Sequence, residues 1–171
     1  MGRLIRWTIG GLVVTMGSLL AGAAVAKNRL PSVGNEESNE VALTAILEPI
    51  AFESHSTSFK GGSLLTWFGG GDVDLRGVRL DPAGATLTTR TLFGGARLLV
   101  PESWNVDLRV VSVFGGSADV RPAYERAPDA PTLVIDGFAI FGGFAVMSTN
   151  PEIEAVDLLD ADAPDEDGTE D

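Results

Sequence analysis

The chain has 171 residues, no cysteine, and 24 acidic against 12 basic residues, for a formal net charge of −12. Without cysteine, disulfides, thiolate metal sites and cysteine nucleophiles are excluded. Ten acids and no base lie from Glu152 to the C-terminus, so the rest of the chain is nearly neutral. Because nucleic-acid binding needs clustered Lys and Arg, we expect no nucleic-acid partner.

An uncharged stretch runs from Trp7 to Ala26, between two arginines before it and two basic residues after it. Twenty helical residues span about 30 Å, the thickness of a bilayer's hydrocarbon core. Residues 1–27 therefore predict a single transmembrane anchor, and the positive-inside rule by a slim margin favours an exterior body. A signal peptide cleaved after Ala24-Val25-Ala26, leaving a secreted protein, is the alternative.

Three further regions follow from composition. Residues 28–40 contain Pro, Gly and polar residues without periodicity and predict a linker. Residues 41–151 carry short apolar runs with alternating polarity and predict one β-rich domain. Residues 152–171 are too acidic and too poor in apolar residues to fold alone, and they lack the Gly and Glu placement of an EF-hand loop. We therefore predict a disordered acidic tail and no metal site.

The tripeptide Phe-Gly-Gly occurs four times in the middle of the chain, with starts 25, 21 and 27 residues apart. The copies are Phe68-Gly69-Gly70, Phe93-Gly94-Gly95, Phe114-Gly115-Gly116 and Phe141-Gly142-Gly143. Each lies between two short β-type runs, so the unit is strand, glycine corner, strand. Such a repeat predicts an all-β body in which one unit stacks on the next, a β-solenoid or β-helix. Ordinary hairpin turns in a β-sandwich are the alternative.

The glycines of each corner are expected to adopt backbone conformations closed to other residues, or to let neighbouring backbones approach closely. The preceding Phe rings should then stack in a column inside the body. A third glycine, Gly71, suggests a β-bulge at the first corner. With that bulge, the second and fourth positions after each turn should face the core. These are Val73, Leu75, Arg97, Leu99, Ala118, Val120, Ala145 and Met147.

No reactive constellation accompanies the repeat. The sole histidine, His55, lacks the partners of a catalytic triad, and no glycine run fits a phosphate-binding or dinucleotide motif. The carboxylates are scattered along the strands, and Asp136 beside Gly137 is best explained as a turn residue. We therefore predict no catalytic, cofactor-binding or metal-binding residues and no enzyme. An exported glycan hydrolase with paired carboxylates is the enzymatic alternative.

Residues 92–106, LFGGARLLVPESWNV, resemble the LiaF-like C-terminal domain family of bacterial proteins that respond to cell-wall-active antibiotics. The shared pattern is a Phe-Gly-Gly turn, a strand, Pro, Trp and a strand leading to the next turn. It extends over roughly residues 60–147 and includes two later turns, VFGG and IFGG. The family's classical members place several membrane helices before this domain, whereas here we predict one.

The resemblance implies a β-rich module beside a membrane that modulates envelope-stress signalling, often by restraining a sensor kinase. Together with the lack of a reactive constellation, it leads us to expect a non-enzymatic binding or regulatory module tethered to the cell membrane. A structural scaffold that self-assembles at the membrane is the second expectation, because solenoids have open ends that pair unless they are capped. A membrane protein or a second copy of the chain is the expected partner.

Overall fold

The computed structural model describes residues 18–122 and 127–149. This part of the chain is mostly β, with a short helix over residues 18–29 and one large sheet. The predicted acidic tail and the first part of the predicted anchor, residues 1–17, lie outside the described residues. Inside them, no helix has both the length and the apolar composition that crossing a membrane requires.

Eight strands form the sheet. They are β1 (Glu40–Ile46), β2 (Pro49–Glu53), β3 (Gly61–Trp67), β4 (Gly70–Asp74), β5 (Ala85–Leu99), β6 (Asn105–Val113), β7 (Gly116–Asp119) and β8 (Thr132–Met147). All pairs among these strands are parallel. Two strands joined by a hairpin turn would be antiparallel, so the interpretation of Phe-Gly-Gly as a hairpin turn in a sandwich is wrong.

The strands are arranged in five layers, each made of a strand, a corner and a second strand. In chain order the layers are β1 with β2, β3 with β4, β5, β6 with β7, and β8, where the long strands β5 and β8 run through their own corners. The layers do not all stack in chain order. The fifth layer lies between the third and the fourth, because β8 pairs with β5 on one side and with β6 and β7 on the other.

Side-chain chemistry explains why β8 rather than β6 takes the inner position. Before its corner β8 carries one charged residue, Asp136, and is otherwise mainly apolar, with Leu133 and Ile135 fully buried and Phe138 and Ile140 half-buried. β6 instead carries a charged pair, Asp107 and Arg109, on its outward face, and charged residues are a usual protection of edge strands.

The core lies between the two halves of the layers, and its register corrects the prediction of a bulge. Gly71 pairs with Ala96 in an uninterrupted ladder that continues from Asp72 and Arg97 to Val73 and Leu98. There is no bulge at the first corner, so the predicted inward positions hold for the first copy alone. In the other three copies they are one residue out of phase.

Burial marks the true inward residues after each corner. Ala96 and Leu98 of β5, and Phe144 and Val146 of β8, are at most 4 % exposed. The predicted inward residues Arg97, Ala118, Val120, Ala145 and Met147 instead alternate with them and face outward, whereas Leu99 is buried despite its outward phase.

The left-handed backbone conformation at each corner belongs to the Phe and not to the glycines. Phe68, Phe93, Phe114 and Phe141 have φ between 48° and 53°. The first glycine of each copy has a different task, which is to admit the neighbouring layer. A Cβ on Gly94 would lie 1.9 Å from the carbonyl oxygen of Gly69, and one on Gly142 would lie 1.9 Å from that of Gly94. Any side chain there would collide with backbone.

A fifth corner, in the first layer, carries no Phe-Gly-Gly sequence. Leu47 has φ of 60° and stands in register with Phe68, followed by Glu48 and Pro49 in place of two glycines. Glycine is dispensable here because the first layer ends the stack.

The two glycines of one corner should respond oppositely to alanine. Gly142→Ala should lower the free energy of unfolding by about 3 kcal/mol or more, because the new Cβ meets backbone that cannot move aside. Gly143→Ala, its neighbour in the same corner, should change it by less than about 1 kcal/mol, since its Cβ would find the nearest atom at 3.4 Å. Urea unfolding of the two variants measures this difference, and equal losses would contradict the packing role assigned to Gly142.

Candidate functional site

The four phenylalanine rings form a continuous stack along the corners, which we call the aromatic column. In spatial order the rings are Phe68, Phe93, Phe141 and Phe114, with centroids 4.8, 4.9 and 4.9 Å apart and planes within 7° of parallel. The predicted stacking is therefore confirmed. Its predicted position inside the body is wrong, because Phe141 is 49 % and Phe114 76 % exposed.

The backbone explains the outward position of the rings. In the third layer, Thr91 before the corner and Ala96 after it are buried, while Phe93 and its neighbours between them are more exposed. The positive φ at the Phe interrupts the alternation of side chains, so the ring projects away from the core. A sequence pattern of period two cannot reveal such a switch.

An apolar row runs beside the aromatic column on the outward side of the strands that precede the corners. In register across the layers it consists of Ile46, Trp67, Leu92, Ile140 and Val113. Its exposure increases along the stack: Ile46 is 1 % exposed, whereas Val113 is 44 % exposed. The two ends of one row therefore have different surroundings.

The helix over residues 18–29 covers the first end of this row. Ala23 is fully buried, and a Cβ on Gly22 would lie 3.5 Å from the indole ring of Trp67. Lys27 Nζ donates a hydrogen bond to Glu48 Oε2 at 2.5 Å and holds the end of the helix at the first corner. Part of the segment predicted as an anchor thus packs on the β-body.

The other end of the row is bare in the described part of the chain. It forms a continuous outward surface on β6, β8 and their corners, which we call the apolar face. Its residues are Val111, Val113, Phe114, Phe138, Ile140 and Phe141. Val111 is 65 % exposed, and the rest are half-buried or exposed. Contiguous apolar surface of this kind is typical of interaction sites.

A shallow groove of about 930 Å³ lies on the other side of the corners. Its floor is made mainly of small residues, including Gly95, Gly116 and Gly143. One ion pair crosses it: Arg97 donates to both carboxylate oxygens of Asp72 at 2.6 and 2.7 Å. Asp72 is the sole carboxylate among the residues that line it, whereas glycosidic hydrolysis uses two.

The remaining candidates from the sequence do not converge. His55 Nε2 lies 3.5 Å from Glu53 Oε1, and both side chains are more than half exposed. Asp136 is not a turn residue. It stands in the middle of β8, in register with Thr88 and Arg109. Among residues 18–122 and 127–149, no three His, Asp or Glu side chains are grouped to hold a metal ion.

Three Asp-x-Arg sequences form ion pairs along single strands or at their ends. Burial raises the pKa of Asp74, but the side-chain and backbone hydrogen bonds from Arg76 outweigh it, so that pKa lies below its ordinary value. The Arg109 guanidinium likewise lowers the pKa of Asp107. Such carboxylates remain ionised at neutral pH and are unsuited to donate a proton as general acids.

The third pair has a structural task that the sequence analysis missed. The Arg121 side chain is 1 % exposed, pairs with Asp119 at 2.7 Å, and donates to the carbonyl oxygens of Pro101 and Trp104. It thereby ties the end of β7 to the Pro-Glu-Ser-Trp turn that joins the third and fourth layers. The repeated Asp-x-Arg pattern was a signal for an ion pair, but not for burial.

Two Asp-x-Arg pairs that look alike in sequence should contribute differently to the free energy of unfolding, because one arginine is buried and the other is not. Arg121→Gln should lower the free energy of unfolding by about 2–4 kcal/mol, because two carbonyls and a carboxylate lose their donor. Arg76→Gln, whose side chain is 40 % exposed, should cost less than about 1 kcal/mol. Urea denaturation of both variants checks the ranking, and a larger loss for Arg76→Gln would contradict it.

Acid should weaken the fold through carboxyls with lowered pKa. Besides Asp74 and Asp107, the pKa of Asp81 is lowered, first by the backbone N–H of Ala83 and then by the Ser58 hydroxyl. A group whose pKa is lower in the folded chain stabilises it fully above the unfolded value, and this stabilisation is lost as pH falls through the folded value. We therefore expect the free energy of unfolding to decrease once the pH falls below 3.8, the ordinary pKa of an aspartate carboxyl group.

Urea unfolding over a pH series measures this loss, and Asp81→Asn should reduce the slope on the acid side. A stability that increases as the pH falls below 3.8, or a slope that Asp81→Asn leaves unchanged, would contradict the assignment.

Comparison with known proteins adds no relative. No protein-family model, no curated protein and no solved structure matches this chain. The similarity to the LiaF-like family therefore stays a prediction.

Proposed function

We propose that this chain is a non-enzymatic binding module of the bacterial cell envelope, tethered to the membrane by its N-terminal segment. In this proposal its body is a β-solenoid with the last two layers exchanged, exposed on the exterior. It binds a membrane protein through the apolar face and acts as a regulatory module in the envelope-stress response.

One observation carries this proposal, the unequal cover of the apolar row. The chain's own helix lies against Trp67 near one end, where Ile46 is 1 % exposed, whereas Val113 and Phe114 at the other end stay exposed. A surface that takes an apolar helix at one end is chemically suited to take another along the same row. Helix-in-groove recognition of this type is a recurrent way to bind a partner. A helix of a membrane protein supplies the required apolar surface.

The charged groups support binding over hydrolysis. A glycosidase needs one carboxylic acid with a raised pKa and a second carboxylate near it. Here Asp74 and Asp107 have lowered pKa values, and Asp72 in the groove accepts hydrogen bonds from Nε and Nη2 of Arg97. The lowered pKa values of Asp74 and Asp107 do not favour a protonated acid at neutral pH.

Site-specific photocrosslinking in the native membrane tests the proposal. A photoreactive residue at position 114 should capture a membrane protein, because the Phe114 side chain is 76 % exposed at the end of the aromatic column. The same residue at position 120, where Val120 is 54 % exposed on the other half of the layer, is the matched control and should not capture it. A Phe141→Asp substitution should reduce capture from position 114 by placing a charge in the apolar face.

The identity of the captured protein separates the alternatives. A sensor kinase would support regulation of envelope stress. Equal capture from positions 114 and 120, or capture that Phe141→Asp does not reduce, would refute binding through the apolar face. Recovery of this chain alone would favour the second candidate, a self-assembling scaffold.

A reporter fused to the C-terminus and active on one side of the membrane tests the tether and its direction. We expect exterior activity and an uncleaved mass. Cleavage after Ala26 would identify a secreted protein instead.

A further inference from the structure

The two ends of the stack differ in how their strand edges are covered. At the first end, the outer edge of β1 is bridged by Val33, which exchanges hydrogen bonds of 2.7 and 2.8 Å with Ala42. The Ser32 hydroxyl also accepts from the N–H of Thr44 at 2.9 Å. At the other end, β6 pairs with β8 on one side, and no described strand pairs with its outer edge.

The apolar core shows the same asymmetry. Val41 and Leu43, the inward residues of β1, are 4 % and 2 % exposed although β1 ends the stack. Val106, Leu108 and Val110, the inward residues of β6, pack against the core but stay partly exposed. The core is therefore closed over β1 and open over β6.

We propose that the open end binds a second copy of this chain, with β6 pairing antiparallel to β6 of the partner across a two-fold axis at Leu108. In such an antiparallel pair, the numbers of any two opposed residues add up to the same sum. An even sum keeps inward residues opposite inward residues and so joins the two open cores. An odd sum would place inward residues of one copy opposite outward residues of the other. The inward apolar side chains would then stay uncovered, which excludes these registers.

Charge selects one register among the even sums. The outward face of β6 carries Asp107 and Arg109, two residues apart. A two-fold axis at Leu108 places Asp107 opposite Arg109 of the partner, and the reverse, so two unlike pairs form. A shift of the axis by one residue either way places Asp107 opposite Asp107, or Arg109 opposite Arg109, and directly opposed like charges are destabilising. The same axis sets Val106 opposite Val110 of the partner.

This pairing closes on itself. The outer edge of β1 is bridged at Val33 and its inward residues are buried, so β1 offers no edge equivalent to that of β6. An interface that uses the same patch on both subunits gives a dimer rather than a filament. The proposal uses the edge of β6, whereas the proposed partner site uses the outward face, so each stands or falls without the other.

Cysteine crosslinking tests the register directly, since the chain has no cysteine of its own. The full chain in detergent is oxidised mildly and its mass is measured. Leu108→Cys should form a disulfide dimer, because directly opposite residues lie within disulfide range. Val111→Cys, although 65 % exposed in the single chain, should not, because the axis separates the two copies of position 111 by about 20 Å.

A second pair of variants guards against a folding defect at the inward position 108. The double variant Asn105→Cys with Val111→Cys should crosslink, because the register places 105 opposite 111 of the partner. Neither single variant should do so.

Charge exchange tests the energetics by sedimentation. Arg109→Asp should weaken dimerisation about tenfold or more, because two attractive pairs become repulsive. Adding Asp107→Arg should restore it, since the double variant re-forms both unlike pairs. Arg76→Asp changes an ion pair of the same spacing away from the edge and should leave dimerisation unchanged.

Several results would overturn the proposal. One is a full chain that stays monomeric at high concentration, and another is a dimer that Arg109→Asp and Arg76→Asp weaken equally. A third is crosslinking of Val111→Cys in preference to Leu108→Cys. A monomer that dimerises after removal of residues 150–171 would assign the edge to the chain's own C-terminal segment instead.

Discussion

The structure depends on how closely neighbouring backbones approach at the corners. Stacked layers bring the carbonyl oxygen of one corner to within 2 Å of where a Cβ would stand on the next, as at Gly94 and Gly142. Glycine is required there by contact and not by conformation. The close approach sets the aromatic rings 4.8–4.9 Å apart, about the spacing of paired strands. One constraint therefore fixes both the turn residues and the aromatic column.

The exchange of the last two layers gives the molecule its functional asymmetry. The inner place goes to β8, whose one charged residue is Asp136, and the outer place to β6, which carries Asp107 and Arg109. As a result the most exposed ring of the column, Phe114, belongs to the terminal layer. The surface proposed for a partner helix and the edge proposed for a second copy both arise from this one topological choice.

The ion pairs along the strands have structural roles and do not indicate a catalytic site. Asp-x-Arg sequences recur because residues two apart lie on the same face of a strand. Exposure then separates their effects. Arg121 is enclosed and bonded to backbone carbonyls, whereas Arg109 pairs with Asp107 on the edge strand and is 63 % exposed. The same Asp-x-Arg spacing thus gives a buried ion pair that stabilises one layer and an exposed ion pair on the edge strand of another.

Local patterns in the sequence were enough to determine a mostly-β body, the corners at Phe-Gly-Gly and the stacking of their rings. Each follows from residue type and period-two alternation. The order of the layers, the parallel pairing, the outward position of the rings and the register after the corners were decided by tertiary structure. The alternation of apolar and polar residues does not reveal a positive φ at Phe93. No local pattern shows which of two similar strands takes the inner position. β6 carries two charged residues and β8 carries one, which favours β8 for the inner place.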